Sequence, residues 1–220
     1  MTGYSRWSSG SVVFSQPESL LKCLFMAPQI HFVDTDPDVV EALRSAFEEF
    51  GPVSIRHGNI LDIAEDTIVS PANSYGYMDG GVDKIYREFF GEKLDEAVLE
   101  AIRFRATRLA VQNGEDPQHA EAILPVGEST LAKTNHPRIR YILLAPTMFL
   151  PQGIPAENCA QAMLAVLNCG KRNFPHIKNI YCPGLGTGVG GLAPAIAAKT
   201  MAKAYRDWMA HHDFPSPAGL

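Results

Sequence analysis

The sequence predicts an α/β protein with a mainly parallel sheet that helices cover on both faces. Short apolar segments alternate with longer segments of helical periodicity along most of the chain. This order is typical of a parallel sheet with crossover helices. Two glycine-rich loops each follow an apolar segment and precede a helix. Because ligands of such sheets bind at the carboxyl ends of the strands, these loops are the expected site.

The first strand and helix are expected after residues 1–28, which are rich in Ser and Gly and predict an N-terminal extension. Residues 30–33 predict a short strand. Asp36 then supplies a helix N-cap acceptor, and Pro37 occupies the first helical position. The helix should end before the Gly51-Pro52 pair, and residues 53–57 and 67–70 predict the next two strands.

The remaining elements follow in the same alternation. A helix with an inward face of Val82, Ile85, Tyr86 and Phe89 is expected to end at Gly91, and a longer helix to run from residue 94 to 113. Further predicted elements are strands at 122–126, 141–144 and 177–182 and helices at 157–174 and 193–212. The domain is therefore expected over residues 29–212, with a C-terminal tail at 213–220.

Composition narrows the function. The net charge of -5 argues against direct binding to nucleic acid, which needs a basic face. It allows a small phosphorylated ligand, since backbone amides can hold a diphosphate. The four cysteines lack CxxC spacing and the seven histidines lack metal-binding patterns, so no metal and no cofactor is expected. No segment approaches the roughly 20 apolar residues of a membrane span, and a cytoplasmic location is expected.

The first glycine-rich loop covers residues 68–83. An apolar segment ends there, Asn73 lies in the turn, and Gly80-Gly81 opens a helix. Glycines let a ligand approach the backbone, and a helix N-terminus offers unpaired N–H groups to an anion. Asn and Gly are also ordinary turn residues, so the pattern equally fits a plain connection.

The second loop, residues 182–191, has five glycines in the eight residues from Gly184 to Gly191. Such a sequence is costly in backbone entropy, and a backbone that wraps a phosphate explains it. It contains the GxGxxG pattern, but no second strand with an acidic residue follows about 20 positions on, as a dinucleotide fold requires. The dinucleotide interpretation is therefore rejected.

Together the loops resemble those of the macrodomain family. Residues 66–73 (Asp-Thr-Ile-Val-Ser-Pro-Ala-Asn) and 79–83 (Asp-Gly-Gly-Val-Asp) resemble the family's Asn-Ala-Ala-Asn strand end and Gly-Gly-Gly-Val-Asp turn. Residues 58–60 resemble its Gly-Asp-Ile, and residues 183–191 its diphosphate loop. The resemblance covers about residues 53 to 205, in the family's order.

The resemblance implies a three-layer α/β/α fold with a cleft for ADP-ribose or an ADP-ribosylated substrate. The implied ligand-binding residues are Asn59, Ile60, Ala72, Asn73, Gly80, Gly81, Val82, Gly186, Thr187, Gly188, Val189 and Gly190. The chain departs from the family pattern at Asn59, which replaces the acid that accepts from the adenine amine. Ser70 replaces the first Asn of the strand end. The strand at residues 30–33 precedes the family's usual start and is expected at an edge of the sheet.

The implied catalytic residues are Asp83 and Asn73. Asp83 matches the acid that positions the attacking water in the hydrolase branch, and Asn73 matches the residue that contacts the distal ribose. In the first turn of a helix, Asp83 should stay ionised near neutral pH. Asp is also favoured in this position simply because it interacts well with the helix dipole, whatever the protein does.

Three functions are compatible with these residues. The chain could hydrolyse an ADP-ribosyl linkage, or it could be a reader module that binds ADP-ribose without catalysis. A methyltransferase is the third alternative, since residues 32–34 (Phe-Val-Asp) and 53–59 resemble part of one, in which an acid at a strand end takes a ribose diol. That alternative requires an earlier glycine-rich turn, which residues 1–28 do not offer.

Overall fold

Six strands form one mostly parallel sheet in the computed structural model, which describes residues 27–51 and 53–212. They are β1 (Gln29–Asp34), β2 (Val53–His57), β3 (Asp66–Ser70), β4 (Thr130–Lys133), β5 (Ile139–Leu144) and β6 (Asn179–Cys182). Their order across the sheet is β2-β1-β6-β3-β5-β4, and β4 alone runs antiparallel to its neighbour. Residues 1–26 of the expected extension and the expected tail, 213–220, lie outside the described residues.

Helices cover both faces of the sheet. They are α1 (Pro37–Phe47), α2 (Ile60–Ile63), α3 (Gly81–Phe90), α4 (Lys93–Asn113), α5 (Ala156–Asn173) and α6 (Pro194–His211). One core joins α1, α5 and α6 to the sheet, and a second core joins α2, α3 and α4 to its other face. The predicted three-layer α/β/α arrangement is therefore confirmed. Within the described part of the chain, no helix is both long and apolar enough to cross a membrane.

The strands alternate their side chains between the two cores, as the period of two requires. In β1, Phe32 packs into the core beside α1, with ring centroids 4.7 Å from Phe47, whereas Val33 packs into the opposite core. Both are fully buried. Truncating a buried ring such as Phe32 to Ala costs about 3–5 kcal/mol.

The local signals at the helix ends work as the sequence predicts. The Asp36 carboxylate accepts a hydrogen bond from the Asp38 backbone N–H at 2.8 Å, and Pro37 follows at the first helical position. Helix α3 ends at Gly91 with φ 87°, and α4 ends at Gly114 with φ 76°. Both dihedrals lie in the region that glycine tolerates best.

The expectation that the early strand lies at an edge of the sheet is wrong. Strand β1 lies between β2 and β6 and pairs in parallel with both, while β2 is at the edge. Both faces of β1 contribute side chains to a core, which is typical of interior parallel strands.

The strand predicted at residues 122–126 is also wrong. This segment is an irregular connection, although Leu124 is fully buried and its N–H donates to the Ser74 carbonyl. Pro125 has no N–H to donate to a sheet, and Gly127 (φ 91°) turns the chain. The strand β4 forms a few residues later.

Helix α3 buries less of its apolar side than predicted. Tyr86 is fully buried, but Ile85 and Phe89 are about half exposed, at 50% and 43%. Helical periodicity indicates which residues share a face and not how much of that face a neighbour covers.

Candidate functional site

A cleft of about 340 Å³ lies at the carboxyl ends of β1, β2, β3 and β6. The segment after β5, which contains Thr147 and Met148, closes one side. Every site residue predicted from the sequence lines this cleft: Asn59, Ile60, Ala72, Asn73, Gly80, Gly81, Val82, Asp83, Gly186, Thr187, Gly188, Val189 and Gly190. The fold thus brings residues that are up to 131 positions apart in the chain into one concave surface.

The loop after β6 is built from close backbone contacts. Gly186 has φ 77°, and a Cβ there would lie 2.7 Å from Ile154 Cδ1. A Cβ at Gly190 would lie 2.6 Å from the Gly186 carbonyl oxygen. In contrast, a Cβ at Gly188 would meet no atom within 4 Å. Gly186 and Gly190 therefore shape the loop, while Gly188 faces open space in the cleft.

The opposite wall is the turn that starts α3. Gly80 is the N-cap residue, with an extended backbone and no side-chain cap, and Gly81 has φ 54°. A side chain at residue 81 would be strained by that dihedral. No side chain caps this helix end, and Gly80, Gly81 and Val82 line the cleft, so the free N–H groups of the first turn lie in its wall.

The Asn73 side chain makes three hydrogen bonds within its own loop. Its Oδ1 accepts from the backbone N–H groups of Tyr75 (3.0 Å) and Tyr77 (3.3 Å), and its Nδ2 donates to the Tyr77 carbonyl (3.2 Å). An amide offers two acceptor and two donor sites, so one N–H remains for a ligand. Asn73 thus holds residues 73–77 in place beside the cleft, and its contact with a ribose stays a prediction.

Asn59 is exposed in the cleft at the end of β2. Its Oδ1 caps α2 by accepting from the Leu61 N–H at 3.0 Å. The amide keeps one acceptor site and both donor sites for a nucleobase.

Asp83 is the buried acid of the cleft. It lies in the first turn of α3, is only 7% exposed, and its Oδ1 accepts a hydrogen bond from Ser70 Oγ at 2.6 Å. Burial raises the pKa of Asp83 from its ordinary 3.8 to about 7, the Ser70 hydrogen bond opposes that rise, and the charge of Asp79 adds to it.

The expectation that the helix N-terminus keeps Asp83 ionised near neutral pH is therefore wrong. Loss of hydration raises the pKa of Asp83, because the carboxyl is buried and has one side-chain hydrogen-bond donor. Near pH 7 the ionised and protonated forms coexist. Ser70 departs from the family pattern, and its hydroxyl is the donor that keeps the ionised form accessible.

The charges in the cleft are all acidic. Its lining, within the described residues, contains Asp34, Asp79 and Asp83 and no Lys, Arg or His. A phosphate bound here would depend on backbone N–H groups and on the N-terminus of α3 for its stabilisation.

Asp34 and Gly184 also line the cleft, although sequence reasoning considered Asp34 only under the methyltransferase alternative and did not single out Gly184. Asp34 ends β1, and its Oδ2 accepts from the Gly184 N–H at 2.9 Å while its Oδ1 accepts from the Asp36 N–H at 2.9 Å. The available signal was an acid at the carboxyl end of a buried strand, which is where α/β sheets bind ligands.

Comparison with known proteins decides the family. A family model described as Macro-like domain matches residues 58–216. The chain belongs to this Macro-like domain family. The methyltransferase alternative is therefore set aside. Strand β1, helix α1 and strand β2 precede the matched residues, so Asp34 lies outside the family match.

Two relatives align with about 70% of this chain. An uncharacterized protein of Aquifex aeolicus is 29% identical over 156 residues, covering 70% of this chain and 81% of that protein. An uncharacterized protein of Aeropyrum pernix is 28% identical over 153 residues, covering 69% of each.

Solved macrodomains share the fold. The macrodomain of Mycobacterium tuberculosis DarG is similar with a TM-score of 0.52 at 16% identity, covering 70% of this chain and 89% of that chain. A Trypanosoma brucei macrodomain in complex with ADP has a TM-score of 0.51 at 20% identity, covering 71% of this chain and 56% of that chain.

Proposed function

We propose that this protein binds ADP-ribose or a derivative in the cleft and hydrolyses an ADP-ribosyl linkage. The observation that carries the proposal is the position of Asp83. Its carboxyl has a pKa of about 7. It lies in a cleft between two glycine turns, Gly80-Gly81 and the loop at Gly186–Gly190. A base with a pKa near the working pH is the kind that general acid–base catalysis favours.

The two glycine turns support the binding half of the proposal. The diphosphate would lie between the loop at Gly186–Gly190 and the N-terminus of α3, where N–H groups replace the missing cations. The distal ribose would lie toward Asn73 and Asp83. The Trypanosoma brucei macrodomain, which shares this fold, is in complex with ADP.

The hydrolytic step follows from the chemistry of Asp83. Its ionised form accepts a proton from a water molecule while the water oxygen bonds to the anomeric carbon of the distal ribose. The bond from that carbon to the attached group breaks, and the attached group leaves with the electron pair and takes a proton from solvent. The carboxylate also stabilises positive charge growing at the anomeric carbon.

A reader module is the second candidate function, and one observation favours it. Asp83 is only 7% exposed and already bonded to Ser70, which limits its access to water. The glycine turns would serve a reader as well as an enzyme.

The proposal includes a cytoplasmic location and no direct nucleic-acid partner. Cys159, Cys169 and Cys182 are free buried thiols, which suits a reducing compartment. The acidic lining of the cleft opposes a polyanion beyond the bound diphosphate.

Calorimetric titration with ADP-ribose and with AMP tests the binding half. We expect ADP-ribose to bind more tightly, because AMP lacks the distal ribose that would reach Asn73 and the α3 turn. Equal affinity, or no heat with either ligand, contradicts the proposal.

Turnover of an ADP-ribosylated substrate, with wild type and Asp83→Asn compared, separates enzyme from reader. A wild type that binds ADP-ribose but releases none from protein, nucleic-acid or small-molecule conjugates is a reader.

A further inference from the structure

The ends of the strands give the cleft a direction. Asn73 and Asp83 follow β3 along its edge. The second glycine-rich loop, residues 182–191 (the glycine loop), follows β6. Asp34 ends β1, and Asn59 follows β2. Neighbouring strands are about 4.8 Å apart. A diphosphate at the glycine loop, with its distal ribose toward β3, therefore directs its adenosine half toward β1 and then β2.

We infer that Asp34 binds the 2′- and 3′-hydroxyls of the adenosine ribose and thereby selects ligands without a 2′-phosphate. The inference rests on the proposed function, because it needs the diphosphate at the glycine loop. Asp34 lies one strand spacing from that loop, which suits the sugar next to the diphosphate. The nucleobase would reach the next strand end, at Asn59.

The carboxylate of Asp34 is held in a fixed orientation. Backbone N–H groups of Asp36 and Gly184 each donate to one of its oxygens at 2.9 Å. Each carboxylate oxygen keeps a second lone pair, so both can accept from a diol. An acid at a strand end that accepts from a ribose hydroxyl is the arrangement that dinucleotide-binding sheets use.

The lining of the cleft explains the selectivity. A 2′-phosphate would replace a donor with a dianion beside Asp34, and within the described residues no Lys, Arg or His lines the cleft to neutralise it. Like charges at a close contact repel strongly, which disfavours the 2′-phosphorylated ligand.

The experiment titrates wild type, Asp34→Asn and Asp36→Asn with ADP-ribose and with 2′-phospho-ADP-ribose. Asp36→Asn is the matched control, because it removes a charge two residues away and Asn also caps helices well. We expect wild type and the control to prefer ADP-ribose by about a hundredfold or more. In Asp34→Asn this preference should narrow by about tenfold or more.

The ratio of the two affinities distinguishes ligand contact from loop support. If Asp34 only holds Gly184 in place, Asp34→Asn lowers the affinity for both ligands by the same factor. The ratio of the two affinities then stays unchanged, which overturns the inference. A wild type that binds both ligands equally also overturns it. A wild type that binds neither contradicts the proposed function itself.

A second measurement needs no variant and so does not depend on whether Asp34→Asn folds. Wild type should bind 2′-deoxy-ADP-ribose, with the deoxy group on the adenosine side, about tenfold or more weakly than ADP-ribose, because a charged acceptor loses its donor. Equal affinity for these two ligands refutes the inference.

Discussion

Replacement of Asp83 by Asn tests the state of the buried carboxyl directly. The amide has the same shape and still offers an oxygen to the Ser70 hydroxyl, but it cannot ionise. In the wild type, burial raises the pKa of Asp83 from 3.8 to about 7, so folding favours the protonated form. The two proteins should therefore differ in how their stability depends on pH.

The sign and size of that difference follow from proton linkage. Between these two pKa values the unfolded chain has released the proton and the folded chain still holds it, so stability falls as pH rises. The contribution is fully present below pH 3.8 and is lost as the pH passes about 7. At about 1.4 kcal/mol per pKa unit, the loss is about 4 kcal/mol. Asp83→Asn should avoid it and be the more stable protein at alkaline pH.

Urea unfolding of both proteins across this pH range measures the difference in the free energy of unfolding. It should be near zero at acidic pH and grow to about 4 kcal/mol in favour of the variant by about pH 8. Asp38→Asn is the control, since it removes an exposed acid from the first turn of another helix, α1, and leaves the surroundings of Asp83 unchanged. Parallel stability curves would refute the reasoning. So would a variant less stable by a few tenths to about 1 kcal/mol at all pH values, the behaviour of a helix-dipole partner.

Two further predictions concern binding and rate. Gly188→Glu should abolish ADP-ribose binding in calorimetry, because the new carboxylate enters the space of the diphosphate. The melting temperature should not fall, because a side chain at this position meets no atom of the protein. Unchanged affinity in a variant that melts normally would contradict the prediction. Ser70→Ala should raise the pKa of Asp83 further, because the Ser70 hydrogen bond lowers it. The acid limb of a pH profile of kcat/KM should then move to higher pH, and an unmoved limb would show that Asp83 is not the titrating base.

The sequence predicts the features of this molecule that local chemistry decides. The cap at Asp36-Pro37 and the glycine stop at Gly91 depend on neighbours a few residues away, and both are where they were expected. The two glycine-rich loops also meet at one cleft, because parallel strands bring their carboxyl ends to the same edge.

Features that depend on distant partners escape the sequence. The apolar run at β1 predicts a strand but not its neighbours, and its place between β2 and β6 depends on pairing with a strand about 150 residues later. The pKa of Asp83 also depends on residues that are distant in the sequence. The helix N-terminus is visible in the sequence, whereas the burial that raises the pKa is the sum of packing from several elements.

The interior position of β1 ties the cleft to the stability of the whole sheet. Asp34 on β1 accepts from Gly184 on the far side of the chain, 150 residues away, and this bond crosses from outside the family match into the glycine loop. The loop also has hydrogen bonds of its own, since the Leu192 N–H donates to the Gly186 carbonyl and the Ile154 N–H to the Gly190 carbonyl. The bond from Gly184 to Asp34 adds an anchor on β1. A ligand that binds the loop and Asp34 together bridges two strands of the sheet, so binding and folding stabilise each other through the same contact.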